Sequence, residues 1–369
     1  MKAITRFTNA IMEKYLPDPY IFVAILTAIV VGLGMIFTDS SFVDMTIYWG
    51  DGFWGILAFT MQMVIVLAAG HVLANSPLFK KVLSGAASKI KTPSMAIIVV
   101  TFVSLVACWI NWGFGLVIGA LFAKEIARQV RKVDYRLLIA SAYSGMVIWH
   151  GGLAGSIPLS IATEGHPFQD VMGVVDTNTT LFSTYNLFIV LVILFTLPFF
   201  NRFLMPKDED VVEIDPSLIK DEEIALPKPE KNFASISERS YIITGIVGLL
   251  GVTYIVYHFA TKGFKLDLNI INTIFVISGI ILHGTPQRFL AAAQQAIKTT
   301  SGIVFQFPFY AGIMGMMTFS GLGAVMSDWF INISNDTTSY LFTFYSAGLV
   351  NFFVPSGGGQ WTVQAPVML

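Results

Sequence analysis

The sequence predicts an all-α polytopic membrane protein made of inverted-topology repeats that carry two opposed re-entrant hairpins. Three observations predict it. Of 369 residues, 55% are hydrophobic and 12% charged, against roughly 25% charged in a soluble domain, so the surplus apolar surface must face lipid. Apolar runs of about the length a bilayer core demands recur along the whole chain. Two of these runs are interrupted by glycine-rich breaks, at Asn111–Gly115 and at Pro355–Gly359, that an internal shift of the sequence brings near one another.

The elements follow in order. Lys2, Arg6 and Lys14 precede a 19-residue run from Tyr20 to Thr38 with no small-residue cleavage site after it, so it is a retained first span. Further apolar segments cover 54–75, 95–123, 135–163, 181–200, 240–260, 269–283, 300–319 and 338 to the end. The loop 39–53 holds no Lys or Arg, whereas 76–94 holds Lys80, Lys81, Lys89 and Lys91. Positive charge therefore places the N-terminus and the second loop in the cytoplasm. The 29 residues of 95–123 are followed by another basic loop, with Lys124, Arg128, Arg131, Lys132 and Arg136, so both ends belong on one side. A helix of that length reaches about 43 Å, too short for two crossings of a roughly 30 Å core but suited to a re-entrant hairpin. Its tip is expected at Asn111-Trp112-Gly113-Phe114-Gly115, because broken backbone at membrane depth is tolerated only where protein or a wet cavity satisfies it.

The stretch 201–239, with Pro206, Pro216, Pro227 and Pro229 among mixed charges, is expected as a cytoplasmic linker without a core of its own. Lys262 and Lys265 fall in a loop that the count puts outside, a departure from the charge rule. A shift of 242 residues aligns Ala69-Gly70 with Ala311-Gly312, and Thr101-Phe102-x-Ser104 with Thr343-Phe344-x-Ser346. The expected organisation is a first repeat over 1–200 with its hairpin at 95–123, the linker 201–239, a connecting span 240–260, and a second repeat over 261–369 with its hairpin at 338–369. Opposed hairpins in inverted repeats are a secondary-transporter architecture. The same shift carries the second repeat on to about position 442, so the chain is expected to be C-terminally incomplete.

No Asp, Glu, Lys or Arg lies well inside a predicted span; Arg136 sits at a terminus. Backbone N–H groups at the breaks and the positive ends of half-helices are left to hold an anion. The candidate substrate residues are Asn111, Trp112, Gly113 and Gly115 at the first break, with Ser356, Gly357, Gly358, Gly359 and Gln360 at the second. Glycines also serve simply to let membrane helices pack closely. His150, Gly151, Gly152 and Ser156 form a candidate third break or coupling site, although a single membrane histidine is commonly structural. Gln62 and Gln306 are supporting amides upstream of the two hairpins. Trp112 and Trp361 either wall the cavity or pack against lipid.

Nucleic-acid binding is not expected, because the 22 Lys and Arg form no basic face. The single cysteine, Cys108, reads as a packed thiol. No metal site or cofactor is implied, and no H-E-x-x-H, G-x-S-x-G or P-loop is present, so an enzyme is disfavoured. A cation/proton antiporter would be expected to bury an acid, and no span offers one.

Leu16-Pro17-Asp18-Pro19, Tyr48-Trp49-Gly50-Asp51-Gly52-Phe53-Trp54, Ile110-Asn111-Trp112-Gly113-Phe114-Gly115-Leu116, Gln306-Phe307-Pro308-Phe309-Tyr310-Ala311-Gly312 and Val354-Pro355-Ser356-Gly357-Gly358-Gly359-Gln360-Trp361 resemble motifs of the bacterial short-chain fatty acid transporter family. The resemblance runs along essentially the whole chain. It implies uptake of short carboxylates such as butyrate or acetoacetate through the inner membrane, and kinship with the ion transporter superfamily and its elevator motion. A cation/proton antiporter or a dicarboxylate symporter of that superfamily is the alternative. The coupling ion is left between a proton and sodium. The partners are then the carboxylate and lipid, with room for a homo-oligomer. It also implies roughly 70 further residues, in keeping with the repeat.

Overall fold

The computed structural model describes residues 14, 17–219, 226, 229–335 and 337–369. Lys2, Arg6, Leu16 and Pro227, used above for topology, resemblance and the linker, lie outside the described residues. All regular structure among the described residues is helical.

α1 (Pro19–Phe37) starts on Asp18, whose carboxylate accepts the Tyr20 N–H at 2.9 Å, with proline in the first turn. α2 (Phe42–Gly52) is set by a capping box in which Ser41 and Asp44 satisfy each other's backbone N–H groups. α3 (Leu57–Ala74) leads to α4 (Pro77–Ala87), again opened by proline. α5 (Pro93–Ile110) begins on the Thr92 cap and stops at Asn111, where α6 (Trp112–Gln129) restarts. α7 (Tyr135–Tyr143) runs into a 3-10 stretch, Ser144–Gly151, and after a turn into α8 (Ser156–Ile161). The short α9 (Gln169–Met172) precedes α10 (Thr184–Phe203). The linker ends in α11 (Phe233–Glu238), and beyond it come α12 (Tyr241–Lys262), α13 (Leu268–His283), α14 (Pro286–Lys298), α15 (Ser301–Phe319), α16 (Leu322–Ile333), α17 (Ser339–Phe353) and α18 (Gly357–Met368).

Seven elements among the described residues are long and apolar enough to cross a membrane: α1, α3, α5, the interrupted stretch Tyr135–Ile161, α10, α12 and α15. Only 17% of the apolar window of α10 and of α12 is buried, leaving Phe188, Phe195, Leu249 and Leu250 on the surface. Faces this apolar are stable against lipid, not water.

The chain divides into two compact units, Met1–Thr60 with Gly302–Leu369, and Met61–Ser301. In the first, the edges of Phe352 and Phe353 pack on Phe22 of α1, with ring centroids 5.2 and 6.2 Å away. α2 meets α15 backbone to backbone: a Cβ added at Gly52 would stand 2.7 Å from the Ala311 carbonyl oxygen. In the second, Asn201 at the end of α10 donates to the hydroxyls of Thr101 and Ser144 at 3.1 and 2.9 Å, tying α10 to α5 and to the interrupted span.

One expectation needs correction. The segments 39–53 and 76–94, read as loops, carry α2 and α4, and α16 lies likewise between two longer apolar segments. Their helices are short and, in α2 and α4, fixed by caps and first-turn prolines that a search for membrane-length runs passes over. The first part of the linker is tied to the helices before it. Asp134 accepts the Val212 N–H at 2.9 Å, the Tyr135 N–H donates to the Val212 carbonyl at 2.9 Å, and Arg128 donates to the Ile219 carbonyl at 3.0 Å.

Candidate functional site

The first break is an N-cap. Asn111 has extended backbone, φ −159° and ψ 126°, and its Oδ1 accepts the Phe114 N–H at 2.9 Å while its carbonyl accepts the Gly115 N–H at 2.8 Å. α5 and α6 fold back on each other about this residue, since Gly115 packs on Cys108 and Gly119 on Ser104. The glycines are therefore not the break, as the sequence suggested. They lie in α6 and permit contact: a Cβ at Gly115 would stand 2.5 Å from Cys108 Cα, and one at Gly113 2.8 Å from Leu67 Cα.

Asn111 is fully buried, yet its Nδ2 has no hydrogen-bond partner among the described residues, nor has the buried Nε1 of neighbouring Trp112. An unpaired buried donor costs about 1–3 kcal/mol, and here two stand on adjacent residues. The first turn of α6 adds the Trp112 and Gly113 N–H groups, which a helix start leaves without intrahelical acceptors.

The third break packs beside this tip. Leu153 donates its N–H to the Trp109 carbonyl at 2.7 Å, and Trp109 Nε1 donates to the Gly151 carbonyl at 3.1 Å. Asn186 of α10 donates to the same carbonyl at 3.1 Å and to that of Leu181 at 2.7 Å. Gly152 lies so close to the Trp109 backbone that a Cβ would stand 2.7 Å from its Cα. His150 shares a hydrogen bond of 3.2 Å with Ser156 and stacks on Trp149, whose ring meets that of Trp112 with centroids 5.5 Å apart. A pocket of about 290 Å³ opens between His150, Pro158, Tyr185 and Asn186. Asn111, Trp112, Gly113 and Gly115 are thus brought together with His150, Gly151, Gly152 and Ser156 within one unit. Trp149 and Asn186, which hold the break, escaped the sequence reading. An amide inside the apolar run 181–200 was the signal for the second.

Ser356, Gly357, Gly358, Gly359 and Gln360 belong to the other unit. Here too the break is a cap: Ser356 is extended, φ −149° and ψ 121°, and its hydroxyl accepts the Gly359 N–H at 3.4 Å. The three glycines, expected in the break, form the first turn of α18. They fit beneath rings, Gly358 under Phe59 and Gly359 under Tyr310, where added Cβ atoms would stand 2.5 and 2.6 Å from ring carbons. Gln360 ties α18 back to α17, donating to the Ala347 carbonyl at 2.9 Å and accepting from Asn351 at 2.9 Å. Trp361 follows, half-buried. Of the supporting amides, Gln62 donates to Asn269 of α13 at 2.9 Å, and Gln306 accepts the Tyr310 hydroxyl at 3.4 Å.

The sequence profile of the family described as "Short chain fatty acid transporter" matches residues 1–369. The chain belongs to that family. A curated relative in Escherichia coli (strain K12), named as a proposed short-chain fatty acid transporter, is 45% identical over 369 residues, covering 99% of this chain and 84% of the relative. A second in Haemophilus influenzae (strain Rd), named in the same words, is 44% identical over 375 residues with the same shares covered. Among solved structures, the Alcanivorax borkumensis YdaH transporter, described as having an unusual topology, superposes with a TM-score of 0.57 over 95% of this chain and 82% of that one. At 14% identity the superposition speaks for the fold. This member of the short chain fatty acid transporter family is accordingly a multi-pass helical membrane transporter.

Proposed function

We propose that the protein takes up short-chain monocarboxylates, butyrate or acetoacetate, across the bacterial inner membrane, with its N-terminus in the cytoplasm and uptake coupled to a proton or a sodium ion. Family and relatives supply the substrate class. The observation that carries the chemistry is the tip at Asn111, where two buried donors without partners stand at a helix start. Neutral donors and a helix dipole suit a small anion in a span free of buried cations. The apolar walls offered by Trp112 and Trp149 suit a short alkyl chain.

On this reading both helix–break–helix elements are re-entrant hairpins, the chain is two inverted repeats, and transport is an elevator motion. The order of helix lengths supports the repeat: 19, 11, 18, 11, 18 and 18 residues in α1 to α6 return as 16, 13, 19, 12, 15 and 12 in α13 to α18. The test is uptake of labelled butyrate and acetoacetate into proteoliposomes under imposed proton or sodium gradients. Saturable accumulation driven by one gradient is expected. Absence of uptake of either acid under both gradients, from protein that is folded and inserted, refutes the proposal.

A further inference from the structure

A cavity of about 640 Å³ opens among α3, α4, α6 and α14, all within the unit Met61–Ser301. Leu67 and Leu116 are apolar members of its lining. Leu67 is the residue against which Gly113 packs, two positions from Asn111. From Leu116 the lining follows one face of α6 to Lys124, eight residues or about 12 Å further on, and Lys80 of α4 lines the cavity too, exposed to solvent.

The charge there is one-sided. Glu125 is the one acid on the lining, and Arg128 holds it at 2.6 Å. Lys80 and Lys124 have no carboxylate partner among the described residues. A recess of this size, lined by two uncompensated ammonium groups and, some 12 Å along α6, by apolar residues next to the Asn111 tip, is complementary to a short amphipathic anion.

We propose that this cavity is the access vestibule on the basic face of the membrane, and that Lys80 and Lys124 draw carboxylates into it before they reach the tip. The inference rests on the monocarboxylate reading above. The lysines act as positioning residues: they raise the local anion concentration and leave the transport step alone, so their effect falls on KM and is screened by salt.

The test uses the full chain, oriented in proteoliposomes, with butyrate exchange measured from each face. Lys80→Gln combined with Lys124→Gln should raise KM about three- to tenfold on the basic face at low salt, with Vmax and the opposite face unchanged. At high salt the difference should vanish, and the Lys80→Arg, Lys124→Arg pair should behave as the parent. An unchanged KM at low salt, or a defect shared by the arginine pair, overturns the proposal. A second readout needs no transport. In Leu121→Cys, on the cavity wall, the anionic thiosulfonate reagent should react faster relative to the cationic one, and that ratio should drop about tenfold when both lysines become glutamine; the native Cys108 is buried. If the ratio does not move, the vestibule is wrong even where butyrate is carried. If it moves while butyrate is not carried, the vestibule stands and the substrate assignment fails.

Discussion

Asn111→Asp separates the two jobs assigned to Asn111. The replacement has the same shape and keeps an oxygen where Oδ1 accepts the Phe114 N–H at 2.9 Å, so the cap of α6 survives. What it removes is the partnerless Nδ2, turning a donor into an acceptor or a negative charge. A hydrogen bond to a charged ligand is worth about 1.5–3 kcal/mol, so KM for butyrate at pH 7.5 should rise roughly 10- to 160-fold. Acidification should restore part of it relative to the parent, because a protonated carboxyl can again donate. Asn111→Ala loses donor and cap together and should in addition lower thermal stability by about 1 kcal/mol. The assay is initial-rate uptake in proteoliposomes beside thermal unfolding in detergent. A parental KM in Asn111→Asp at pH 7.5 refutes the assignment and leaves Asn111 a structural cap.

Three further outcomes are expected. Gly152→Ala drives a methyl into the Trp109 backbone, which cannot swing aside as a side chain can; a loss of about 1–3 kcal/mol in thermal unfolding should follow, and parental stability would show that the third break is not held there. Gly358→Ala meets the ring of Phe59, so its transport defect should be relieved by the added Phe59→Leu; a defect that persists in the double variant with normal insertion would mean that substrate, not Phe59, approaches this glycine. Burial raises the Asp134 carboxyl pKa, but the Arg136 guanidinium and the Leu137 and Val212 N–H groups outweigh it and hold it below the ordinary carboxylate range. A depressed folded pKa means that its stabilisation is complete above the unfolded value and lost as pH falls through the folded one. Protease cleavage within 205–219 should accordingly accelerate in strong acid, and at neutral pH in Asp134→Ala; equal cleavage of parent and variant at pH 7 would show that the latch contributes nothing.

How much of this was legible in the sequence differs from element to element. The spans were, because the apolar period of a lipid-facing helix is long and uninterrupted: 54–75, 240–260 and 269–283 differ from α3, α12 and α13 by at most three residues at either end. The two breaks were legible through their surroundings, yet the residue that makes each was misjudged. Glycine looks like the breaker on propensity alone. In the folded chain Asn111 ends one helix and caps the next, and Ser356, two residues past the Val354 end of α17, caps α18; the glycines are helical and sit where contacts at Cys108, Leu67, Phe59 and Tyr310 leave no room for a Cβ. The short helices were written in local signals, Ser41 with Asp44 and Thr285 before Pro286, that membrane-length windows average away. The large cavity could not be read at all. Its walls come from four helices separated by more than 200 residues, and Lys80 and Lys124 carried meaning only as markers of sidedness.

The two caps also explain why a carrier can do without a buried cation. An arginine at membrane depth would have to be desolvated and neutralised whenever substrate left, and a partnerless buried charge costs far more than a partnerless amide. Asn111 and Trp112 present donors whose unpaired state is tolerable, and the helix start adds partial charge that never needs a counterion. Two or three hydrogen bonds to a carboxylate, offset by its own dehydration and by the entropy of holding it, leave weak binding. Weak binding is what a cycle needs that must release its cargo on the far side. The tips are unequal in this respect. Asn111 brings an amide whose second arm is free after capping, whereas the Ser356 hydroxyl is already directed to Gly359 at 3.4 Å and the rings of Phe59 and Tyr310 close over the glycines behind it. On the proposed reading, the same local device, an extended N-cap, leaves a donor for the carboxylate at Asn111, whereas at Ser356 its hydroxyl is spent on the cap.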